Sequence, residues 1–574
     1  MTIPLRIFRS FRSNFYENDI LRGPENYSDA YFDELTANGF NAVWLRGLLR
    51  NLAYTDVFPN LGEGVAAHQD ALNAVVERAA RHGVHVLLYL QEPQALPSTH
   101  PFWVHHPEAR GHTAPFEDYE ADPLRTAFCT SESAVRAWLR AAMTGLFRAV
   151  PNLGGWFAIT TSEYPAHCYS RILGYRQGEQ TTCPRCRERH PMAIVRDVLQ
   201  DLYDGTRAAS AEALTIAWNW SWAYYEEDPQ PSLLPYLPAD MAVMLDWERG
   251  GYHALPNGKP YFVDEYSLAY AGPSERFMAL YTEARRRNLP VMVKLQIGTT
   301  HELATVPNLP VVDTLYRKLV DAERLGAAGM LATWNFGNTF SLNTATIARF
   351  VETSDRPAPE AFVKSLAEGC FGLADGSGVG KAVAYFSKAL AWLPSDQDLL
   401  YFWPGNYAPS YPLTLAPLTG APMGWSCLLQ ERGDDLSATE TQFTADETVE
   451  CLRHLLAEWD AGVALLDDAL SGSEEKSARL ERGVAHAISH IYRSTLHVYQ
   501  VYLLRRDRPE DMDARYGAIL AAETANLTAL LPWVEADPRL GFHAECQRYM
   551  FTPESIRAKI TDLQDQLRAS ASQK

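Results

Sequence analysis

The chain has 574 residues, enough for more than one domain, and its 47% hydrophobic and 21% charged residues are ordinary for a globular protein. A formal net charge of −19 argues against nucleic acid or an anionic membrane as a partner and favours a neutral or polar small molecule. The N-terminus lacks the apolar segment of a signal peptide, and no apolar run approaches the ~18 residues of a membrane span. We therefore expect a cytoplasmic protein with reduced thiols and no membrane contact.

Short apolar runs alternate with amphipathic stretches up to about residue 340. Most of the runs are continuously apolar, as strands buried on both faces should be, and several amphipathic stretches end in Gly or Asn, as helix C-termini do. The eight runs are 5–11, 41–48, 84–92, 155–163, 214–222, 241–248, 291–298 and 330–338. This pattern predicts an α/β fold, a (β/α)8 TIM barrel over residues 1–345. A doubly wound sheet is the alternative, but no Gly-rich phosphate loop follows the first run.

Residues 346–574 read differently, as a series of helices that predicts a mainly α-helical C-terminal domain. A segment at 399–425 interrupts this pattern, because it is rich in Pro and aromatic residues and has no period. It is either a loop that packs the helical domain on the barrel or a flap that lines a ligand site. The helices could also pair two copies of the chain in a homo-oligomer.

Polar and aromatic side chains collect where the predicted strands end, which is where barrels of this kind carry their chemistry. Indole rings stack on the C–H faces of sugars, while carboxylates, amides and guanidinium groups bind hydroxyls, so the mixture predicts a carbohydrate pocket. Trp218 and Trp220 share one strand face, and at least one of them could instead fill the core. The candidate substrate-binding residues are Arg9, Arg46, Ser162, Tyr164, Trp218, Trp220, Trp247, Tyr266, Lys294, Gln296, Trp334 and Asn335.

Cleavage of a glycosidic bond needs a general acid and a second group that acts as base, nucleophile or helper of a substrate acetamide. Glu163 is the candidate acid, because it leaves a buried strand beside Tyr164 and desolvation would keep it protonated near neutral pH; a solvated strand-end Glu is the alternative. The seventh run, "VMVKLQIG", offers no carboxylate. Asp246, Asp264 and Glu265 are therefore the candidates for the second group, with Glu92 a weaker one.

The barrel resembles the glycoside hydrolase family 20 β-N-acetylhexosaminidases and the looser set of family-20-like barrels, over about residues 5–340. The similar features are Glu163 at the end of strand four, the Trp of "TWNFGN", the segment "VDEYSLAYAGPSERF" and the "CPRC" turn. The resemblance implies an exo-acting glycosidase on terminal β-linked GlcNAc or GalNAc, with the substrate acetamide as internal nucleophile. It also implies that Glu163 is the acid, that Trp334 is the floor of the sugar site, and that Arg9, Arg12 or Arg46 is a hydroxyl ligand.

The family carries an Asp before the acid, and this chain has Ser162 there. A Ser hydroxyl cannot stabilise the oxazolinium charge, so Asp246, Asp264 or Glu265 would take that part from another strand. Two alternatives stay open: a glycosidase of other specificity with a direct Asp or Glu base or nucleophile, and a non-catalytic barrel that binds carbohydrate.

A candidate metal site follows Glu163 in the chain. Cys-Pro-Arg-Cys has the spacing of a zinc knuckle, and three thiolates with one imidazole would form a closed structural zinc site. The predicted ligands are His167, Cys168, Cys183 and Cys186, with His190 as an alternative imidazole and Cys129 as a distant substitute. Reduced thiols without metal, or a disulfide in an exported protein, are the other interpretations. No cofactor is expected to take part in catalysis.

Overall fold

The computed structural model describes residues 3–14, 17–116, 124–161, 164–421, 423 and 433–572. Eight parallel strands form a closed barrel in which each strand pairs with its neighbours in the chain and the last pairs with the first. The predicted TIM barrel is confirmed. Its strands are β1 (Leu5–Phe8), β2 (Ala42–Gly47), β3 (His85–Leu90), β4 (Gly155–Ala158), β5 (Leu214–Trp218), β6 (Ala242–Asp246), β7 (Val291–Lys294) and β8 (Gly329–Leu331).

Helices surround the barrel, with one exception. Between β5 and β6, where the whole segment is described, there are only the 3-10 turns Trp222–Tyr224 and Leu234–Tyr236. The barrel helices are Asp19–Asn26 and Asp29–Ala37 after β1, Leu49–Leu52 and Val65–Arg81 after β2, Phe102–His105 and Ser133–Ala149 after β3, Pro191–Arg207 after β4, Glu275–Arg286 after β6, Val312–Arg324 after β7 and Leu342–Glu352 after β8. The predicted domain boundary at 345 falls inside this last helix.

Two small sheets lie in the loops after β3 and β6. The first joins Leu96–Pro97, Leu124–Phe128 and Arg110–Pro115, and the second is a hairpin of Gly251–Ala254 and Pro260–Val263. Both extend loops that leave the carboxyl ends of barrel strands, so they build the walls around that end of the barrel.

Aromatic rings fill the upper part of the barrel interior. Trp334 lies at their centre: it stacks on Trp44 with ring centroids 4.9 Å apart and meets Tyr89 and Trp218 edge-on, each at 5.0 Å. Trp44, Tyr89 and Trp218 alternate along their strands with residues that face the helices, as the two-residue period of a strand requires, and Trp334 follows the end of β8. The polar strand ends therefore sit on an apolar, rigid base.

The C-terminal region is helical, as predicted. Its helices are Pro359–Phe371, Ser377–Leu390, Gln397–Phe402, Ala445–Leu470, Lys476–Asp507, Met512–Ala536 and Pro553–Ser572, and a short hairpin pairs Phe542–His543 with Arg548–Tyr549. The aromatic segment at 399–425 starts in helix Gln397–Phe402 and continues through the 3-10 turns Pro404–Asn406 and Ala408–Ser410. Residues 422 and 424–425 of it lie outside the described residues.

Helix Met512–Ala536 is long and apolar enough to cross a membrane by length and composition, which the sequence did not lead us to expect. One such helix is weak evidence, because a packed helix of a globular domain meets the same test. One face of it carries Glu523, which is fully buried and accepts hydrogen bonds from Lys559 Nζ at 2.7 Å and Ser494 Oγ at 2.8 Å. That face packs on its neighbours in the helical region.

Candidate active site at the carboxyl ends of the barrel strands

Asp246, the last residue of β6, holds its carboxylate inside the barrel mouth. Trp218 Nε1 donates to Oδ1 at 2.8 Å, and Arg249 Nη1 lies 3.2 Å from Oδ2. The side chain is 2% exposed. Burial raises the pKa of Asp246, and the charge of Arg249 offsets only part of this rise. A carboxyl group in such a setting can hold a proton at a higher pH than an exposed one.

Glu265 is a second buried carboxylate at this end of the barrel. Its Oε1 accepts from the Tyr266 backbone N–H at 2.8 Å, and its Oε2 accepts from the hydroxyl of Tyr401. Burial raises the pKa of Glu265, while Arg249 and the Tyr401 hydrogen bond work against the rise. The negative charge of Glu265 also adds to the raised pKa of Asp246, so the two groups belong to one electrostatic site.

Lys294, the last residue of β7, places a buried cation beside these carboxylates. Its Nζ donates to Gln296 Oε1 at 2.8 Å and lies 4.2 Å from the centroid of the Tyr266 ring. Burial lowers the pKa of Lys294 to about 8, even though Glu248, Asp246 and Glu265 favour its charged form. The ammonium group offsets part of the negative charge that the site concentrates.

The opposite side of the mouth is built around Arg9. Its Nη1 donates to Asn335 Oδ1 at 2.6 Å, and its Nη2 pairs with Asp19 Oδ2 at 2.9 Å. The guanidinium lies 3.9 Å from the centroid of Trp44, which itself stacks on Trp334. Arg9 and Asn335 are thus held in fixed positions above the aromatic base.

Three of the predicted substrate-binding residues are partly exposed and can be reached from solvent. The guanidinium of Arg46 lies 4.9 Å from the Tyr164 ring, and that of Arg249 lies 5.1 Å from the Trp220 ring. Arg46, Tyr164 and Trp220 come from the ends of β2, β4 and β5, on one side of the mouth. They offer aromatic faces and a cation to an incoming ligand.

Two predicted residues are placed elsewhere. Trp247 points out of the barrel, where its Nε1 donates to Ala271 O at 2.8 Å and its ring packs on Phe277 at 4.8 Å. It follows Asp246 directly, and successive side chains of a strand face opposite sides. Asp264 pairs with Arg276 at 2.7 Å; burial would raise its pKa, but Arg249 and Arg276 hold the pKa below its ordinary value. Trp247 therefore packs outside the barrel and Asp264 is ion-paired with Arg276, and neither placement adds support to its predicted role.

The side chains of Gln296 and Glu92 form hydrogen bonds with other groups of the protein. The Gln296 amide donates to the carbonyls of Thr299 at 2.7 Å and Phe336 at 2.9 Å, and its oxygen accepts from Lys294. Glu92 accepts from the backbone N–H of Leu49 at 2.7 Å. Gln296 therefore anchors the loops after β7 and β8, and its predicted contact with a sugar stays a prediction.

Glu163 and Ser162 lie outside the described residues. The chain on either side of them is at the mouth: Thr161 Oγ1 donates to Ser221 O at 3.1 Å, and the Tyr164 ring packs on Phe116 at 5.0 Å. The assignment of Glu163 as acid stays a prediction.

The predicted cysteines come together near this segment, but the fourth member of the cluster differs from the predicted one. The Sγ atoms of Cys129, Cys168, Cys183 and Cys186 all lie within 4.8 Å of one another. His167 is not among them, because its Nε2 faces the carbonyl of Thr160 and its Nδ1 accepts from the Tyr169 N–H at 3.2 Å. The structure thus groups Cys129, which the sequence offered only as a distant substitute, with the three predicted cysteines and leaves His167 outside this group.

Sequence reasoning missed Arg249 and Tyr401. Arg249 lies three residues after Asp246. A turn at this spacing brings a side chain back to the strand end, so the spacing could have predicted the contact between Arg249 and Asp246. Tyr401 lies 136 residues from Glu265, and only the aromatic richness of its segment pointed to it.

No protein-family model matches the chain, and no curated protein sequence is similar to it. The fold defines the class: a TIM barrel followed by a helical region. Among solved structures, this arrangement is shared with an enzyme of glycoside hydrolase family GH138 that targets pectin rhamnogalacturonan II. The TM-score is 0.57 at 10% identity, over 99% of this chain and 67% of that one.

Two further solved structures match more loosely. One is an O-GlcNAc hydrolase mutant from Thermobaculum terrenum, at TM-score 0.36 and 11% identity over 99% of this chain and 95% of that one. The other is the family 20 chitobiase of Flavobacterium johnsoniae, at TM-score 0.35 and 12% identity over 98% and 78%. These superpositions are too loose to support an argument about the site.

Proposed function

We propose that the protein is a glycoside hydrolase whose active site is the mouth at the carboxyl ends of the barrel strands. The observation that carries the proposal is the pair of buried carboxylates, Asp246 and Glu265, both with raised pKa values, above an aromatic base. Such a pair beside aromatic and guanidinium groups suits the support of the positive charge that develops on a sugar when its glycosidic bond breaks. The fold shared with the GH138 enzyme is consistent with this proposal.

In the proposed mechanism, Glu163 gives its proton to the oxygen of the leaving group while the acetamide oxygen of the substrate attacks C1 and the bond from C1 to the leaving group breaks. Water then attacks C1 and opens the oxazolinium intermediate, and the ionised Glu163 takes the proton of that water. Asp246 takes the part that Ser162 cannot: its carboxylate orients the 2-acetamido group of the substrate and stabilises the positive charge that develops there. Trp218 and Arg249 each hold one oxygen of Asp246, so the carboxylate needs little rearrangement during the reaction. Glu265 is the alternative second group, as a direct base or nucleophile.

The proposed substrate is a glycoside with a terminal β-linked N-acetylhexosamine, GlcNAc or GalNAc. Trp334 would form the apolar floor, and Trp220 would stack on an exposed sugar face. Arg46 would bind ring hydroxyls, and Arg9, which is fully buried, would fix the position of Asn335. The resemblance to family-20-like barrels and the presence of fixed carboxylates beside the aromatic base support this choice.

The purified protein should release p-nitrophenol from the p-nitrophenyl β-glycosides of GlcNAc or GalNAc, and more slowly or not at all from those of glucose and galactose. If the protein cleaves only glycosides that lack an acetamide group, the proposal of a glycosidase stands and the acetamide mechanism is wrong. Sugar binding by calorimetry without turnover of any glycoside in a broad panel would show a binding barrel and contradict the proposal.

Participation of the acetamide can be tested on the substrate alone. Fluorine atoms on the acetyl group withdraw electrons from the amide oxygen, so kcat/KM should fall stepwise from the acetyl to the trifluoroacetyl substrate. A glycosidase with a direct carboxylate nucleophile shows only a shallow dependence, which comes from the inductive effect on the transition state. A shallow series would therefore indicate direct attack by Glu265 or Asp246.

A further inference from the structure

Four cysteines from three separate segments meet beside the barrel mouth. Cys129 follows the strand Leu124–Phe128, Cys168 follows the end of β4, and Cys183 and Cys186 flank a two-residue turn. The Sγ atom of Cys129 lies 3.6 Å from that of Cys186 and 3.6 Å from that of Cys183. All four side chains are buried and all four are free cysteines.

These separations fit a tetrahedral metal site. Zinc–sulfur bonds of ~2.3 Å at tetrahedral angles place the sulfur atoms about 3.8 Å apart. A disulfide would need about 2.05 Å, and the two sulfur–sulfur separations of 3.6 Å are far longer. We propose that Cys129, Cys168, Cys183 and Cys186 bind one structural Zn²⁺ ion as thiolates, with Cys129 rather than His167 as the fourth ligand.

The surroundings of the cluster suit an anionic metal–thiolate centre. Arg185, inside the two-residue turn, points its Nε at Cys129 Sγ at 3.1 Å, and Ser131 Oγ lies 3.2 Å from Cys186 Sγ. Gly111 leaves the space that the cluster needs, because a Cβ atom there would lie 2.5 Å from Cys168 Sγ. Four thiolates and one divalent cation carry a net negative charge. The hydrogen-bond donors Arg185 and Ser131 offset part of that charge.

The ion would join two loops of the barrel mouth. Cys129 belongs to the loop after β3 and the other three cysteines to the loop after β4, and Phe128 forms a parallel bridge with His167 between them. His167 in turn faces the Thr160 carbonyl, three residues before Glu163. The centre therefore fixes the segment on both sides of Glu163, and four protein ligands leave no open position for catalysis by the metal.

The first test is the coordination of the intact, full-length protein purified under reducing conditions. Elemental analysis should find one zinc per chain, and X-ray absorption should find four sulfur neighbours at about 2.3 Å. Three sulfur atoms and one nitrogen would restore an imidazole ligand and overturn the proposed set. Absence of metal, or iron in place of zinc, would overturn the proposal as well.

Variants test the same site without relying on activity. Cys129→Ser should lose zinc, His167→Gln should retain it, and Cys451→Ser, which changes a free cysteine elsewhere, should retain it as the matched control. Arg185→Ala keeps all four ligands and should weaken zinc binding about 10- to 100-fold in a competition with a metallochromic dye. Equal zinc content in Cys129→Ser and the wild type would contradict the proposal.

A last measurement links the ion to the mouth of the barrel, and this part rests on the proposed function. Removal of zinc should lower kcat of the glycosidase more than it raises KM, and zinc should restore kcat. If the protein has no glycosidase activity, the metal content and the sulfur coordination still test the zinc site independently.

Discussion

Asp246 and Asp264 show how two aspartates near one arginine can differ in function. Both contribute to the raised pKa of Arg249, which burial alone would lower. Asp264 also pairs with Arg276, and its pKa lies below the ordinary value, whereas burial raises the pKa of Asp246. The sequence presents both as acidic residues after apolar runs. Only the three-dimensional position of Arg276 separates a structural anion from a candidate catalytic one.

Substitution of these two residues should therefore give different results. Asp246→Asn should lower kcat by about 10²–10³-fold, because a neutral amide cannot stabilise the charge of the oxazolinium. Asp264→Asn, the matched control, should lower the thermal stability through loss of its pair with Arg276 and leave most of kcat. Steady-state kinetics and thermal unfolding of both variants measure kcat and stability. Equal losses of kcat in the two variants would contradict the proposed role of Asp246.

The tryptophans can be separated in the same way. Trp220 is partly exposed at the mouth, and Trp247 is buried behind it against Phe277. Trp220→Ala should raise KM by about 2- to 12-fold, the equivalent of about 0.5–1.5 kcal/mol of stacking. Trp247→Phe should leave KM unchanged. A larger effect of Trp247→Phe on KM would show that the sugar site lies on the other side of β6.

At the scale of elements, the helical region is joined by a buried charged cluster. Glu523 of helix Met512–Ala536 accepts from Lys559 of helix Pro553–Ser572 at 2.7 Å and lies 2.7 Å from Nδ1 of His497 in helix Lys476–Asp507. Burial would raise the pKa of Glu523, but Lys559 and His497 lower it to about 2 from 4.5. Three helices thus share one buried carboxylate.

The folded-state pKa of Glu523 is lowered, so its contribution to stability is complete above about pH 4.5 and is lost as the pH falls towards 2. Glu523→Gln should lower the free energy of unfolding at pH 7 by about 3–5 kcal/mol, because Lys559 stays buried without its anion. The difference between wild type and variant should shrink between pH 4.5 and 2. Denaturant unfolding at a series of pH values measures this difference in the free energy of unfolding. A difference that does not change with pH would mean that the variant loses stability through packing alone.

The barrel elements were predictable because their strands are buried on both faces, which gives apolar runs that stand out in the sequence. All eight strands and the major helices lie where the pattern placed them. The candidate site was predictable only as a set of strand ends. The contacts of Arg276, Tyr401 and Cys129 depend on chain segments far apart in sequence, and no local pattern specifies which of them meet.

At the scale of the whole molecule, the helical region reaches the barrel mouth. Tyr401 donates its hydroxyl to Glu265, Asn406 Oδ1 accepts from the Ala304 N–H at 2.6 Å, and Lys259 of the barrel pairs with Glu447 at 2.5 Å. The aromatic segment at 399–425 therefore packs the helical region on the barrel and also supplies a contact to a candidate catalytic carboxylate. These contacts agree with the interpretation of the segment as packing between the helical region and the barrel, and its role as a flap of the ligand site stays a prediction.

Loss of the Tyr401 hydroxyl should raise the pKa of Glu265, although the two residues are far apart in the sequence. Tyr401→Phe removes a hydrogen bond that lowers the pKa of Glu265, so the acidic limb of the pH–rate profile should move to higher pH. The value of kcat/KM at neutral pH should fall by about 10- to 100-fold, or about 1.4–2.8 kcal/mol. Tyr385→Phe, an exposed tyrosine of the helical region, is the control. An unchanged profile in Tyr401→Phe would leave the helical region with a packing role only.

The most direct test of the central claim, that this barrel mouth hydrolyses glycosides with Glu163 as the acid, uses two leaving groups. Glu163→Gln should lower kcat/KM for a phenyl β-N-acetylhexosaminide by about 10²–10⁴-fold, because unsubstituted phenoxide is a poor leaving group that needs a proton. The 2,4-dinitrophenyl substrate has an activated leaving group that needs none, so the variant should keep a kcat/KM close to that of the wild type on it. Equal kcat/KM values of Glu163→Gln and the wild type on the phenyl substrate would contradict the account.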